Sequence, residues 1–135
     1  EYNVRMGDPE TEVVFPRINN DILELLNSIG TPEFNSIKID VKKESAATVI
    51  LVSGGYPLKY EKGKLINGLN KLESDIIFHS GTKKIDENYY TNGGRVLAVT
   101  SVAKTYNKAL RNSYSQIKTI KFDGMYYRND IGFDL

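Results

Sequence analysis

Two hydrophobic periods divide the chain. Residues 1–5 alternate Glu, Tyr, Asn, Val, Arg, so on a strand Glu1, Asn3 and Arg5 share one face and Tyr2 and Val4 the other. Asp8 suits an N-cap and Pro9 a first helical position, which predicts a short helix ending at Pro16. Asn20 or Asn19 can cap a second helix in which Ile22, Leu25, Leu26 and Ile29 fall at i, i+3, i+4 and i+7, with Gly30 at its end and Pro32 just beyond. Thr31 to Asn35 reads as a linker, and the character then changes to strands between Gly-rich turns, which sets a boundary near residue 36. The apolar run from Ala47 to Val52 predicts a buried strand closed by Gly54-Gly55-Tyr56-Pro57, where glycine permits backbone angles that other residues resist. Lys64 to Leu69 and Asp75 to His79 predict further strands. Tyr89-Tyr90-Thr91 running through Asn92-Gly93-Gly94 into Arg95 to Thr100 carries a hairpin signal. Tyr106, Ala109, Leu110, Ser113 and Ile117 sit at helical spacing opposite Lys104, Lys108, Arg111 and Asn112, which predicts one amphipathic helix between Ala103 and Ile117. The tail offers one more strand, a turn at Asp123-Gly124, and then Tyr126-Tyr127-Arg128. No internal repeat or low-complexity tract interrupts this order.

Composition narrows the partners more than the fold. A chain of 135 residues has one-domain size, so a second unit must be a fragment. Its 40% hydrophobic and 26% charged content is that of a folding, globular chain. The net charge of +1 supplies no broad basic field, so nucleic acid and anionic membrane are not expected partners. With no cysteine, disulfides and thiolate metal sites are excluded, in keeping with a reducing cytosol. The longest apolar stretches, such as Ala46 to Ser53, fall far below the roughly 20 residues that span a bilayer, and the polar start lacks the regions of a signal peptide. A soluble, cytoplasmic protein is expected.

Candidate chemistry begins at residue 1. Magnesium takes oxygen ligands in octahedral geometry, usually one or two protein groups with phosphate oxygens and waters. The carboxylate of Glu1 and the amide oxygen of Asn3, projecting the same way from a strand, form such a pair, and Arg5 on that face can fork onto a phosphate or carboxylate. Read alone, Glu-x-Asn-x-Arg is short and fits a solvated edge strand better than a site. His79, the single histidine, reads as a hydrogen-bonded structural residue rather than a base. Gly93-Gly94 reads as a turn, since no Gly-x-x-x-x-Gly-Lys-Ser/Thr string occurs. Lys83 and Lys84 could face a phosphate or simply be solvated, and the nine tyrosines are scattered through strands and helix rather than arrayed with basic residues for base stacking.

The string Glu1-Tyr2-Asn3-Val4-Arg5-Met6-Gly7-Asp8-Pro9-Glu10-Thr11 resembles the metal-binding segment near the end of the ATP-grasp domain in the phosphoribosylamine–glycine ligase (glycinamide ribonucleotide synthetase) family. Further matches follow in the family's order. They are Gly54-Gly55-Tyr56-Pro57 with Tyr60 and Gly63, Phe78-His79-Ser80-Gly81-Thr82, Thr91-Asn92-Gly93-Gly94-Arg95-Val96-Leu97, and Tyr127-Arg128-Asn129-Asp130-Ile131-Gly132. They cover nearly the whole chain, and the departures, Ser80 for Ala and Met6 for Phe, are conservative.

The resemblance implies ATP-dependent joining of glycine to 5-phosphoribosylamine in purine synthesis, through an acyl phosphate of glycine, with release of ADP and phosphate. It assigns Glu1 and Asn3 to Mg²⁺ or Mn²⁺ between the phosphates of ATP, Arg5 to an anionic group of substrate or intermediate, and Asp8 to the glycine ammonium or to the helix cap. It also implies an α+β architecture: residues 1–35 as the end of an ATP-grasp domain, then 36–135 as a small, mainly antiparallel β-rich domain of the rudimentary hybrid-motif kind with one amphipathic helix. The Gly-rich loop, phosphate lysine and adenine-contacting linker of such enzymes would precede residue 1. The chain is therefore expected to be a C-terminal fragment, with its natural end near Leu135, inactive alone and completed by upstream domains of the same polypeptide. Two rivals stand beside this reading: a different ATP-grasp carboxylate–amine ligase, and a noncatalytic β-rich binding module whose Gly-Tyr-Pro and Asn-Gly-Gly loops form a recognition edge.

Overall fold

A computed structural model describes residues 5–71 and 76–134. Helices α1 (Thr11–Val14), α2 (Ile22–Asn27) and α3 (Tyr106–Ile117) accompany six strands: β1 (Ser45–Val52), β2 (Leu65–Ile66), β3 (Ile76–His79), β4 (Thr82–Ile85), β5 (Asn88–Thr91) and β6 (Arg95–Ala103). The strands make two antiparallel sheets, ordered β1-β6-β3 and β2-β5-β4. The architecture is α+β, as expected from the sequence.

β1 alternates as a one-sided strand should: Val49 and Leu51 are fully buried, whereas Thr48, Ile50 and Val52 on the other face are half-buried. β6, paired on both edges, is buried almost throughout. Val49, Leu51, Leu97 and Val99 pack with Ile117, Ile120, Phe122 and Ile66 into the core. α3 lies against β1 and β6. The Thr105 side chain caps it by accepting from the Lys108 N–H, and Ala109, Ser113 and Ile117 form its buried face. Ser113 is satisfied there, its hydroxyl donating to the Ala47 carbonyl and lying 3.0 Å from the Ser101 hydroxyl.

The hairpin differs from its sequence signal. β5 and β6 lie in different sheets and do not pair, so Asn92-Gly93-Gly94 is not a hairpin tip. The segments 76–85 and 88–103 instead form one long antiparallel ribbon whose tip is Asp86-Glu87, with Asp86 at φ 51°. Midway the register steps from His79↔Leu97 to Thr82↔Thr91, leaving three extra residues on the second strand. Asn92-Gly93-Gly94 fills that step as a bulge, which bends the ribbon from one sheet into the other. Gly81 and Gly93 meet backbone to backbone at the bend, where the Gly81 N–H donates to the Arg95 carbonyl at 2.9 Å and the Asn92 N–H to the Gly81 carbonyl at 2.7 Å.

Other boundaries move for local reasons. α2 is capped by Asp21, whose carboxylate accepts from the Leu23 and Glu24 N–H groups, rather than by Asn19 or Asn20. Those asparagines instead bind the returning segment at Asp40 and Lys38. Val41 bridges Ile18 and the Lys42 N–H donates to the Arg17 carbonyl at 2.7 Å, so the chain just past residue 36 folds back on the first segment. The α2 stripe is real, yet Leu26 and Ile29 are 53% and 60% exposed, so the described chain leaves it largely uncovered. After α3 the tail makes isolated bridges, Lys121 to Asn67 and Tyr126 to Val52, around the Asp123-Gly124 turn, rather than a strand.

Candidate functional site

The first turn around Asp8 is built differently from a capped helix. α1 begins after Glu10, whose side chain makes no capping bond at the helix start. Its carboxylate turns back to accept from the Gly7 N–H at 2.9 Å, while the Thr11 hydroxyl donates to the Gly7 carbonyl at 2.9 Å. Asp8 is thus not the N-cap. Its Oδ2 accepts from Nη2 of Arg95 at 2.5 Å, joining residues 87 positions apart.

Arg95 stands on a fixed base. It opens β6 opposite Val52 of β1, its carbonyl accepts from Gly81, and the preceding Gly94 carbonyl accepts from the Ser53 N–H at 2.8 Å. Gly94 lies under Tyr56, where an added Cβ would come within 2.7 Å of the ring Cε2, so glycine is required for that approach. The hydrogen bond to Asp8 raises the guanidinium pKa above its ordinary value, burial opposes the rise, and the charges of Asp8 and, more weakly, Glu12 add to it. Glu12 Oε2 is buried and has no hydrogen-bond partner among the described residues.

Arg95 rims a cleft of about 430 Å³. Its floor is the half-buried face of β1, Thr48, Ile50 and Val52, and its walls come from Pro9, Tyr56, Tyr126, Tyr127 and Ile131. Arg128 also lines it, held in a two-pronged pair with Asp130 at 2.9 and 3.1 Å. That arginine keeps the Asp130 carboxyl below its usual range. Each of the two guanidinium groups at the edge of the cleft is thus paired with a carboxylate.

The remaining candidates divide. Arg5 is exposed, its guanidinium donating to the Met6 carbonyl at 3.2 Å. Glu1 and Asn3 lie outside the described residues, as do Tyr2 and Val4 of the same expected strand. Among the described residues, no group of three or more His, Cys, Asp or Glu comes together to hold a metal. His79 lies in a separate, polar cleft with Asn67, Asn70 and Asn88. Its Nδ1 is 3.0 Å from the Thr82 hydroxyl, its ring packs 4.6 Å from that of Tyr89, and burial lowers its pKa. A structural role fits these contacts. Lys83 and Lys84 are exposed on β4, with Lys84 3.6 Å from Glu87, and Gly93-Gly94 serves the bend. The residue that sequence reasoning passed over is Arg95, quoted in a motif but given no role. A charged side chain opening an otherwise apolar strand was the available signal.

The phosphoribosylglycinamide synthetase C-domain family model matches residues 46–134. The chain belongs to this family. Its relatives include the phosphoribosylamine–glycine ligase of Fusobacterium nucleatum, 46% identical over 98% of this chain and 32% of that protein. The bifunctional purine biosynthetic protein purD of Dictyostelium discoideum is also 46% identical, over 98% of this chain and 17% of its own length. Among solved structures, the phosphoribosylamine–glycine ligase of Thermotoga maritima superposes with a TM-score of 0.76 at 34% identity, over 96% of this chain and 32% of that one. The chain thus spans about a third of its single-function relatives. Family membership rests on residues 46–134, which include Arg95 and the cleft floor, whereas Asp8 lies before that segment. Among the described residues, no helix is long and apolar enough to cross a membrane.

Proposed function

We propose that the chain is the C-terminal third of a cytoplasmic phosphoribosylamine–glycine ligase, with residues 1–35 ending its ATP-grasp domain and 36–135 forming its β-rich, hybrid-motif domain. The observation that carries this reading is the tie from Asp8, in the Gly-Asp-Pro segment of the expected ATP and metal site, to Arg95 of the family domain. The contact joins the segment that precedes the family domain to that domain's sheet. The exposed apolar side chains Leu26, Ile29, Phe34 and Ile39 are where upstream parts of the same polypeptide would pack.

In the complete protein the carboxylate oxygen of glycine attacks the γ-phosphorus of ATP, expelling ADP. The amine of phosphoribosylamine then attacks the resulting acyl carbon and phosphate leaves. The difficulty of the first step is bringing an anionic carboxylate to a polyanion. Glu1 and Asn3, an oxygen-donor pair of the kind hard cations take, would hold Mg²⁺ or Mn²⁺, which when bound neutralises phosphate charge. Arg5, exposed beside them in sequence, serves an anionic group of substrate or intermediate. Asp8, freed from any capping role, faces the glycine ammonium. Carboxylate-labelled glycine tests the scheme in the full-length enzyme. The label oxygen passes into released phosphate if the acyl phosphate forms, and its retention in the amide product alone refutes the scheme.

A further inference from the structure

We propose that Arg95 is a positioning residue for Asp8, so that the sheet domain sets the geometry of the amino-acid site instead of merely flanking it. The inference deepens the function proposed above and rests on it.

Asp8 is held by one oxygen only. Oδ2 accepts a hydrogen bond from Arg95 at 2.5 Å, and Oδ1 makes no hydrogen bond among the described residues. A carboxylate fixed through one oxygen presents the other in a defined direction, which is what recognition of a small ammonium ion requires. The Asp8 side chain is 57% exposed, so nothing in its own turn would fix it without this contact. Arg95 is suited to the task because its backbone is pinned from both sides, by β1 and by the Gly81 bend. An ion pair this exposed contributes little to stability. Its consequence is orientation, and a displacement of the order of 1 Å in a positioned group can cost roughly a hundredfold in rate.

The test uses the full-length protein carrying Arg95→Met, Arg95→Lys, Asp8→Asn and the double variant Asp8→Asn/Arg95→Met, with ADP release followed as glycine and ATP are varied separately. Arg95→Met is expected to raise KM for glycine by about tenfold or more while leaving KM for ATP within twofold, and Arg95→Lys to recover part of the loss. In the Asp8→Asn background, Arg95→Met should add nothing further, because the arginine acts through that carboxylate. A glycine KM within twofold of wild type for Arg95→Met, or losses that multiply in the double variant, overturns the inference. Should Arg95→Met melt well below wild type, Arg95→Lys and Asp8→Asn carry the comparison. Equal effects of Arg95→Lys on glycine and ATP then overturn it. Wild-type protein that releases no glycine-dependent ADP refutes the proposed function itself, a result distinct from all of these.

Discussion

Replacing Gly81 by alanine attacks the bend on which the fold and the site both depend. The new Cβ would lie 2.7 Å from Gly93 Cα and 2.9 Å from Gly93 N, with the Arg95 carbonyl closer still. All three atoms are backbone, so no rotamer change relieves the overlap and the two strands must separate. Overpacking of this kind costs typically 1–3 kcal/mol, and with no side chain able to yield we place it at about 3 kcal/mol. For a chain of this length that is a melting-temperature loss of about 10 °C. Gly63→Ala is the control. Gly63 has φ +78° with nothing within 4 Å of an added Cβ, so its penalty is the left-handed backbone alone, about 1 kcal/mol. Thermal and urea denaturation of the two variants, followed by circular dichroism, compares them directly. Gly81→Ala costing no more than Gly63→Ala would refute the backbone-to-backbone packing of the bend.

Three further outcomes are expected. Ile117→Ala, which empties a fully buried position in the core, should cost about 2–5 kcal/mol in urea denaturation, and a loss under 1 kcal/mol would contradict the packing of α3. Because burial lowers the His79 pKa, the unfolded chain binds the proton more readily, so stability should decline as pH falls through the ordinary histidine range near 6.5 and level off below the folded value. His79→Gln should flatten that part of a melting-temperature profile taken against pH, and an unchanged slope there would count against the assignment. Full-length Glu1→Ala should need a higher Mg²⁺ concentration for half-maximal turnover, and an unaltered Mg²⁺ titration would remove Glu1 from the metal site.

Local signals were legible wherever one residue's environment was set by near neighbours. The 3.6-residue spacing marks α3, and the apolar run marks β1. Capping signals were ambiguous where several short polar residues adjoin: Asp21 won over Asn19 and Asn20 because its carboxylate reaches two N–H groups at once. β4 was hidden by Lys83-Lys84, whose charge masks the alternation of an exposed strand. Asn92-Gly93-Gly94 has the chemistry of a hairpin tip, and only the pairing of β3 with β6 and β4 with β5 reveals it as a bulge. The partner of Arg95 was beyond sequence reasoning for the same cause. It lies 87 residues away, and no periodicity encodes that contact. For Asp8 the sequence left a ligand role and a cap open, and the contact with Arg95 removes the cap.

The proposed function makes this chain one part of a ligase site that upstream domains of the same polypeptide complete. Its most direct test is a paired assay of ADP release by the full-length protein and by the 135-residue chain, with glycine and phosphoribosylamine each omitted in turn. Release from the full-length protein that requires both substrates is expected, with none above background from the chain alone. Release by the full-length protein that ignores glycine, or robust turnover by the isolated chain, would contradict it.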